Sequence, residues 1–193
     1  AAAFKSGKPW VLDPVGIGIG QLRSDLLLEL KQYKPAIVRG NASEIIALAS
    51  LWGIEANACE SSRPRGVDTT DTVEAARDAA AALARYTGGA VAVSGKKDLV
   101  TDGEKVAYSE GGSELMEKVT GFGCSQGGVL AVYATATNPF TAALAAVAHY
   151  NVAGSRAAKV ADAPASFKTA FIDELYRATA RDIADNPFSV EEA

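Results

Sequence analysis

The sequence predicts an α/β fold of three layers, with helices on both faces of a mostly parallel sheet. Three short apolar runs carry this reading, at residues 9–13, 36–39 and 90–93. Each is bounded by glycine or polar residues, and stretches with helical spacing separate one run from the next. Strands alternating with helices make βαβ units, which build a parallel sheet covered on both faces. Glycine and polar residues also gather where the runs end, at Asp13, Arg39-Gly40 and Ser94-Gly95, and again before Cys124. In open parallel sheets, ligands bind beyond the carboxyl ends of the strands.

In order, residues 9–13 read as a strand ending at Asp13-Pro14, followed by the glycine-rich loop Val15-Gly16-Ile17-Gly18-Ile19-Gly20. Residues 21–32 read as a helix from the spacing of Leu22, Leu26, Leu27 and Leu30. A buried strand at 36–39 and a helix from about Ala42 to Ala49 come next. Residues 55–72 are polar and punctuated by glycine and proline, hence a loop. An alanine-rich helix over 72–86 precedes the third strand. Asp102-Gly103 predicts a hairpin between 97–101 and 104–109. Helices are expected at 123–137, 139–160 and 165–184, and a polar, frayed tail from Asn186. The whole, residues 1–193, reads as one domain. Its first strand follows almost no lead-in, which places that strand mid-sheet beside strands outside this chain.

Composition narrows the function. Apolar residues make up 48% and charged residues 22%, enough for a core without staples. A net charge of −4 with no basic run argues against nucleic acid as a partner. The two cysteines, Cys59 and Cys124, share no metal-ligand spacing with the single His149, so a reducing compartment, the cytoplasm, is expected. No apolar stretch reaches the roughly 20 residues of a membrane span, and the N-terminus does not read as a signal peptide.

The turn Thr120-Gly121-Phe122-Gly123-Cys124 leads into an apolar helix. Glycines let backbone N–H groups face a ligand, and a helix start adds unpaired donors and partial positive charge. Such a turn makes an anion hole for a transferring phosphate. It lacks the Walker A spacing, and the same residues would also serve as a plain turn before a packed helix. Cys124 falls in the first turn, where a thiol is activated and can polarise an attacking alcohol or receive its proton. The alternative is a small cysteine packed under the turn.

In Arg39-Gly40-Asn41-Ala42-Ser43-Glu44, Asn41 and Glu44 have capping-box spacing. Read functionally, Glu44 and Asn41 position a hydrated Mg²⁺ near nucleotide phosphates, Arg39 reaches a phosphate, and Asp13 adds a second carboxylate. Ser94 offers a hydroxyl to a phosphate or ribose, or is a satisfied turn serine. His149, Trp10 and Trp52 read as structural.

Together, Lys8-Pro9-Trp10-Val11-Leu12-Asp13-Pro14-Val15, Val38 to Ile45, Gly66-Val67-Asp68, Asp98 to Gly103 and Val119 to Cys124 resemble, in this order, the hydroxyethylthiazole kinase family. That thiamine-salvage family has the ribokinase-like fold. The resemblance implies Mg²⁺-dependent transfer of a phosphoryl group from ATP to 4-methyl-5-(2-hydroxyethyl)thiazole. Carried over by motif, Arg39, Ser94, Asn41 and Gly123 serve ATP, Gly121 lines the substrate side, Asp13 and Glu44 serve the metal, and Cys124 is catalytic. Phe122 stands where the family usually has Thr, so a hydroxyl is lost and bulk is added. The resemblance further implies a homotrimer with sites at subunit interfaces. It also implies roughly 70 to 90 residues before Lys8, making this chain N-terminally incomplete relative to the family. Two alternatives stay open: a related kinase of another small alcohol, and a non-catalytic nucleotide-binding subunit that needs a partner chain.

Overall fold

The computed structural model describes residues 1–54 and 73–193. The expected loop at 55–72, with Cys59 and Gly66-Val67-Asp68, lies outside the described residues. Six strands form one sheet in the order β1-β2-β3-β4-β5-β6. They are β1 (Val11–Leu12), β2 (Ile37–Asn41), β3 (Ala90–Ser94), β4 (Asp98–Thr101), β5 (Lys105–Ser109) and β6 (Phe188–Glu192). β1, β2 and β3 pair in parallel, and β4, β5 and β6 continue the sheet antiparallel. β5 therefore runs with the first three strands, and their carboxyl ends share one edge of the sheet.

The layers follow from period-two alternation along the strands. Val38, Val91, Val93, Leu99 and Val106 point to one face and pack against α2 (Gln21–Leu30), α3 (Ala42–Leu51) and α4 (Arg77–Thr87). Ile37, Ala90, Ala92, Val100 and Ala107 point to the other, against α5 (Phe122–Ala134) and α6 (Pro139–Ala157). The second face is alanine-rich, so those helices can approach the sheet closely. A third cluster joins the start of α5 to α6 and α7 (Pro164–Arg177) through Phe122, Tyr150, Phe167 and Phe171. Each fully buried Phe contributes about 1.5–3 kcal/mol by area removed from water.

The expected hairpin forms: Asp102 Oδ1 accepts from the Glu104 and Lys105 amides, and Gly103 supplies the positive φ of 93°. Four expectations change. The short helix α1 (Ala2–Lys5) precedes the first strand. In α2 only Leu27 is buried, while Leu22 is 85% and Leu26 52% exposed, so the leucine spacing marks a helix but not its core face. The single helix expected at 165–184 is two, α7 and α8 (Ala180–Ala184), because Thr179 caps a new helix start in a capping box with Asp182. The expected frayed tail is β6, an exposed edge strand on β5, which Arg77 ties down through the Glu192 carbonyl at 3.0 Å and Glu191 at 2.7 Å.

Candidate functional site

Arg39 organises the carboxyl edge of the sheet. It stands on β2 and is 7% exposed. Its Nη1 donates to Asp13 Oδ2 at 3.3 Å beyond β1, its Nη2 to Ser94 Oγ at 2.9 Å ending β3, and its Nε to Gln126 Oε1 at 3.1 Å on α5. One guanidinium thus binds the ends of the three parallel strands to the start of α5.

That approach explains Gly123. A Cβ there would lie 2.9 Å from Arg39 Nη2 and 3.1 Å from Nη1, too close for any side chain unless the guanidinium moves. Gly121, the residue before α5, has φ 91°, a conformation that favours glycine. No side chain caps the helix. The Phe122 and Ser125 amides bond to the Val119 and Gly121 carbonyls, while those of Gly123 and Cys124 have no acceptor among the described residues. These are the donors an anion hole needs. Cys124 is a free, exposed thiol beside them.

Phe122 does not add bulk to this corner. It is 7% exposed and turned into the aromatic cluster, 4.6 Å from Phe171 and 5.8 Å from Phe167 between ring centroids. It anchors the turn to α7 and leaves the ligand side to backbone.

The two carboxylates differ. Asp13 Oδ2 is paired with Arg39, but Oδ1 is buried with no hydrogen-bond partner among the described residues. Burial pushes the Asp13 carboxyl above its usual value; Arg39 opposes this and the Glu44 charge adds to it. An Asp13 carboxylate with one oxygen on Arg39 and a buried oxygen left over, close enough to feel the Glu44 charge, suits a cation. Glu44 is held by the capping box: Oε2 accepts from the Asn41 amide at 2.9 Å and Oε1 from the Gly16 amide at 3.3 Å, while Asn41 Oδ1 accepts from the Glu44 amide at 2.9 Å. Asn41 and Glu44 therefore already cap α3. Among the described residues no group of three His, Cys, Asp or Glu could hold a metal.

Two residues of the site were given no role by the sequence. Gln126 is an amide one turn into an apolar helix, 5% exposed; a polar residue between the start of the helix and its glycine pair was the available signal. Asp98, at the start of β4, is discussed below. His149 is structural as expected, its ring nitrogens meeting Tyr133 OH at 3.0 Å and the Leu175 carbonyl at 2.8 Å. Trp52 is in the core, and Trp10 is half-buried at its border.

The profile of the "Hydroxyethylthiazole kinase family" matches residues 1–181. The chain belongs to that family. It is 46% identical over 201 residues to hydroxyethylthiazole kinase of Bifidobacterium longum, covering 95% of this chain and 64% of the relative. Against the Corynebacterium glutamicum enzyme of the same name, identity is 44% over 187 residues, covering 94% and 66%. The chain thus spans slightly under two thirds of the length of these relatives. A solved hydroxyethylthiazole kinase protein from Pyrococcus horikoshii superposes with a TM-score of 0.81 at 31% identity, over 99% of this chain and 68% of that one. Staphylococcus aureus pyridoxal kinase, solved with AMP-PCP and pyridoxal, shares the fold at a TM-score of 0.58 and 18% identity, over 96% and 63%. No helix among the described residues is long and apolar enough to cross a membrane.

Proposed function

We propose that this chain carries the phosphoryl-transfer corner of a hydroxyethylthiazole kinase, which phosphorylates the hydroxyl of 4-methyl-5-(2-hydroxyethyl)thiazole from ATP. The observation that carries the reading is Arg39, fixed between Asp13, Ser94 and Gln126 and packed against Gly123 at the uncapped start of α5. It holds positive charge and open backbone donors at one point, which a phosphoryl transition state requires more than a strong base.

In this reading Ser94 and Arg39 orient the nucleotide phosphates. The Gly123 and Cys124 amides receive charge that builds on the transferring group. The alcohol oxygen forms its bond to the γ-phosphorus as the bond to the β–γ bridging oxygen breaks, and the alcohol proton passes to the Cys124 sulfur, which accepts it as the thiolate. Asp13 directly, and Glu44 through water, would hold Mg²⁺, whose contribution is to neutralise phosphate charge. Gly121 borders the alcohol side. Asn41 acts on the nucleotide side through the capping box that sets Glu44.

The test is ADP release on mixing the chain with Mg-ATP and the thiazole alcohol. Release that depends on the alcohol supports the reading. Nucleotide binding without transfer would replace it with the non-catalytic subunit, and transfer to other small alcohols alone would replace the substrate. The family resemblance also supports a homotrimer in the cytoplasm; sedimentation should give three times the chain mass of 19.9 kDa, and a monomer would overturn that assembly.

A further inference from the structure

Asp98 is a buried carboxylate that the proposed chemistry does not use. It starts β4, three residues past the Gly95 turn that follows β3, and is 7% exposed. Both of its oxygens accept from neutral donors: Oδ1 from the Gly95 amide at 3.0 Å, Oδ2 from Asn151 Nδ2 of α6 at 2.9 Å. Asn151 Nδ2 also reaches Ser109 Oγ at 3.2 Å, where Asn186 Nδ2 donates at 3.1 Å from the chain leading into β6. The Gly95 amide is one peptide from Ser94, whose hydroxyl accepts from Arg39.

We propose that Asp98 is a positioning residue of the nucleotide site, its carboxylate fixing the Ser94–Gly95 turn against α6 and, through Ser94, the Arg39 guanidinium. The assignment rests on the kinase reading above.

The geometry makes the function dependent on protonation. Both partners of the carboxylate are N–H donors, so a proton on either oxygen sets O–H against N–H and releases one of the two bonds. The groups around Asp98 do little to hold it ionised. Arg39 on β2 acts from a distance, and α6 and the chain into β6 present the neutral Asn151 and Asn186. The flanking Lys97 is exposed and paired with Glu110 at 3.2 Å. Burial accordingly pushes Asp98 up to about 6, opposed by Gly95, Asn151 and Arg39.

The experiment is Mg-ATP affinity of wild type and Asp98→Asn from about pH 8 to about pH 5, each compared at the same pH so that titration of the nucleotide cancels. Asp98→Asn mimics the neutral acid. It should bind about tenfold more weakly at pH 8 and match wild type at pH 5, with KM for ATP moving and kcat within about twofold. A ratio that stays constant across the range overturns the proposal. Thermal denaturation separates this effect from unfolding. A carboxyl raised in the folded state contributes stability that is present at low pH and lost as pH rises through about 6. Wild type should therefore gain stability relative to Asp98→Asn as pH falls, while losing nucleotide affinity; a parallel fall of both would reduce Asp98 to a structural role. Wild type that binds no Mg-ATP at pH 8 overturns the kinase reading itself, whereas binding with a flat ratio overturns only the role of Asp98.

Discussion

Arg39→Ala should abolish measurable Mg-ATP binding and lower folding stability by about 3–5 kcal/mol at neutral pH. The size follows from what the guanidinium leaves behind. Asp13 would keep a largely buried carboxylate without its charged partner, and Gln126 Oε1 would lose its donor in a site 5% exposed. Breaking one side of a buried pair costs far more than the pair is worth, because the orphaned charge stays out of water. The loss should depend on pH. Arg39 is the largest influence holding Asp13 down, so its removal raises that carboxyl further above its usual value. A raised carboxyl favours the fold at low pH and disfavours it as pH rises through its folded value. Urea denaturation should therefore show a small deficit at about pH 4 and a large one at about pH 8. Arg39→Lys separates charge from shape: an ammonium can face Asp13 but cannot reach Ser94 and Gln126 at once. It should recover most of the stability and little of the nucleotide binding. A loss in Arg39→Ala under about 1 kcal/mol and independent of pH would show that the arginine is not the hub the hydrogen bonds describe.

The same residue shows how far sequence reaches. The strands at 36–39 and 90–93 were legible because buried parallel strands leave continuous apolar runs, and the ligand edge because glycine and polar residues follow those runs. Arg39, Ser94, Asp13 and Gly123 do converge, as those strand ends implied. What was not legible depends on contacts between distant segments. Gln126 and Asp98 bond to Arg39 and Asn151, 87 and 53 residues away, and no local pattern announces such a bond. β6 escaped because an edge strand is polar by necessity: exposed backbone donors are guarded with charge, so Ser189, Glu191 and Glu192 read as a tail. Phe122 was misplaced for a related reason. A helix start has both an open side and a packed side, and only α7, 45 residues on to Phe167, decides which one the ring takes.

Cys124→Ala should lower kcat by about 10²–10⁴-fold while leaving KM for ATP within about twofold. In the proposed site the nucleotide is held by groups that this change does not touch: Arg39, Ser94 and the Gly123 amide, with Asp13 and Glu44 toward the metal. The thiol is exposed, so its removal opens no cavity, and stability should stay within about 0.5 kcal/mol. A binding role and a proton-accepting role therefore separate cleanly here. If Cys124 only lined the ATP side, KM would rise and kcat would hold. If it were a packing residue under the turn, stability would fall and drag both constants with it. Cys124→Ser adds a finer test, since a hydroxyl keeps a hydrogen bond to the alcohol but is a far weaker proton acceptor than a thiolate. Its kcat should lie close to that of Cys124→Ala if the sulfur takes the proton, and close to wild type if the side chain merely polarises the alcohol. The loose transition state makes the second outcome a real competitor, because phosphoryl transfer demands little nucleophile deprotonation before the bond to phosphorus forms. The serine variant thus decides whether this corner supplies a base or only electrostatic stabilisation from the amides at the start of α5.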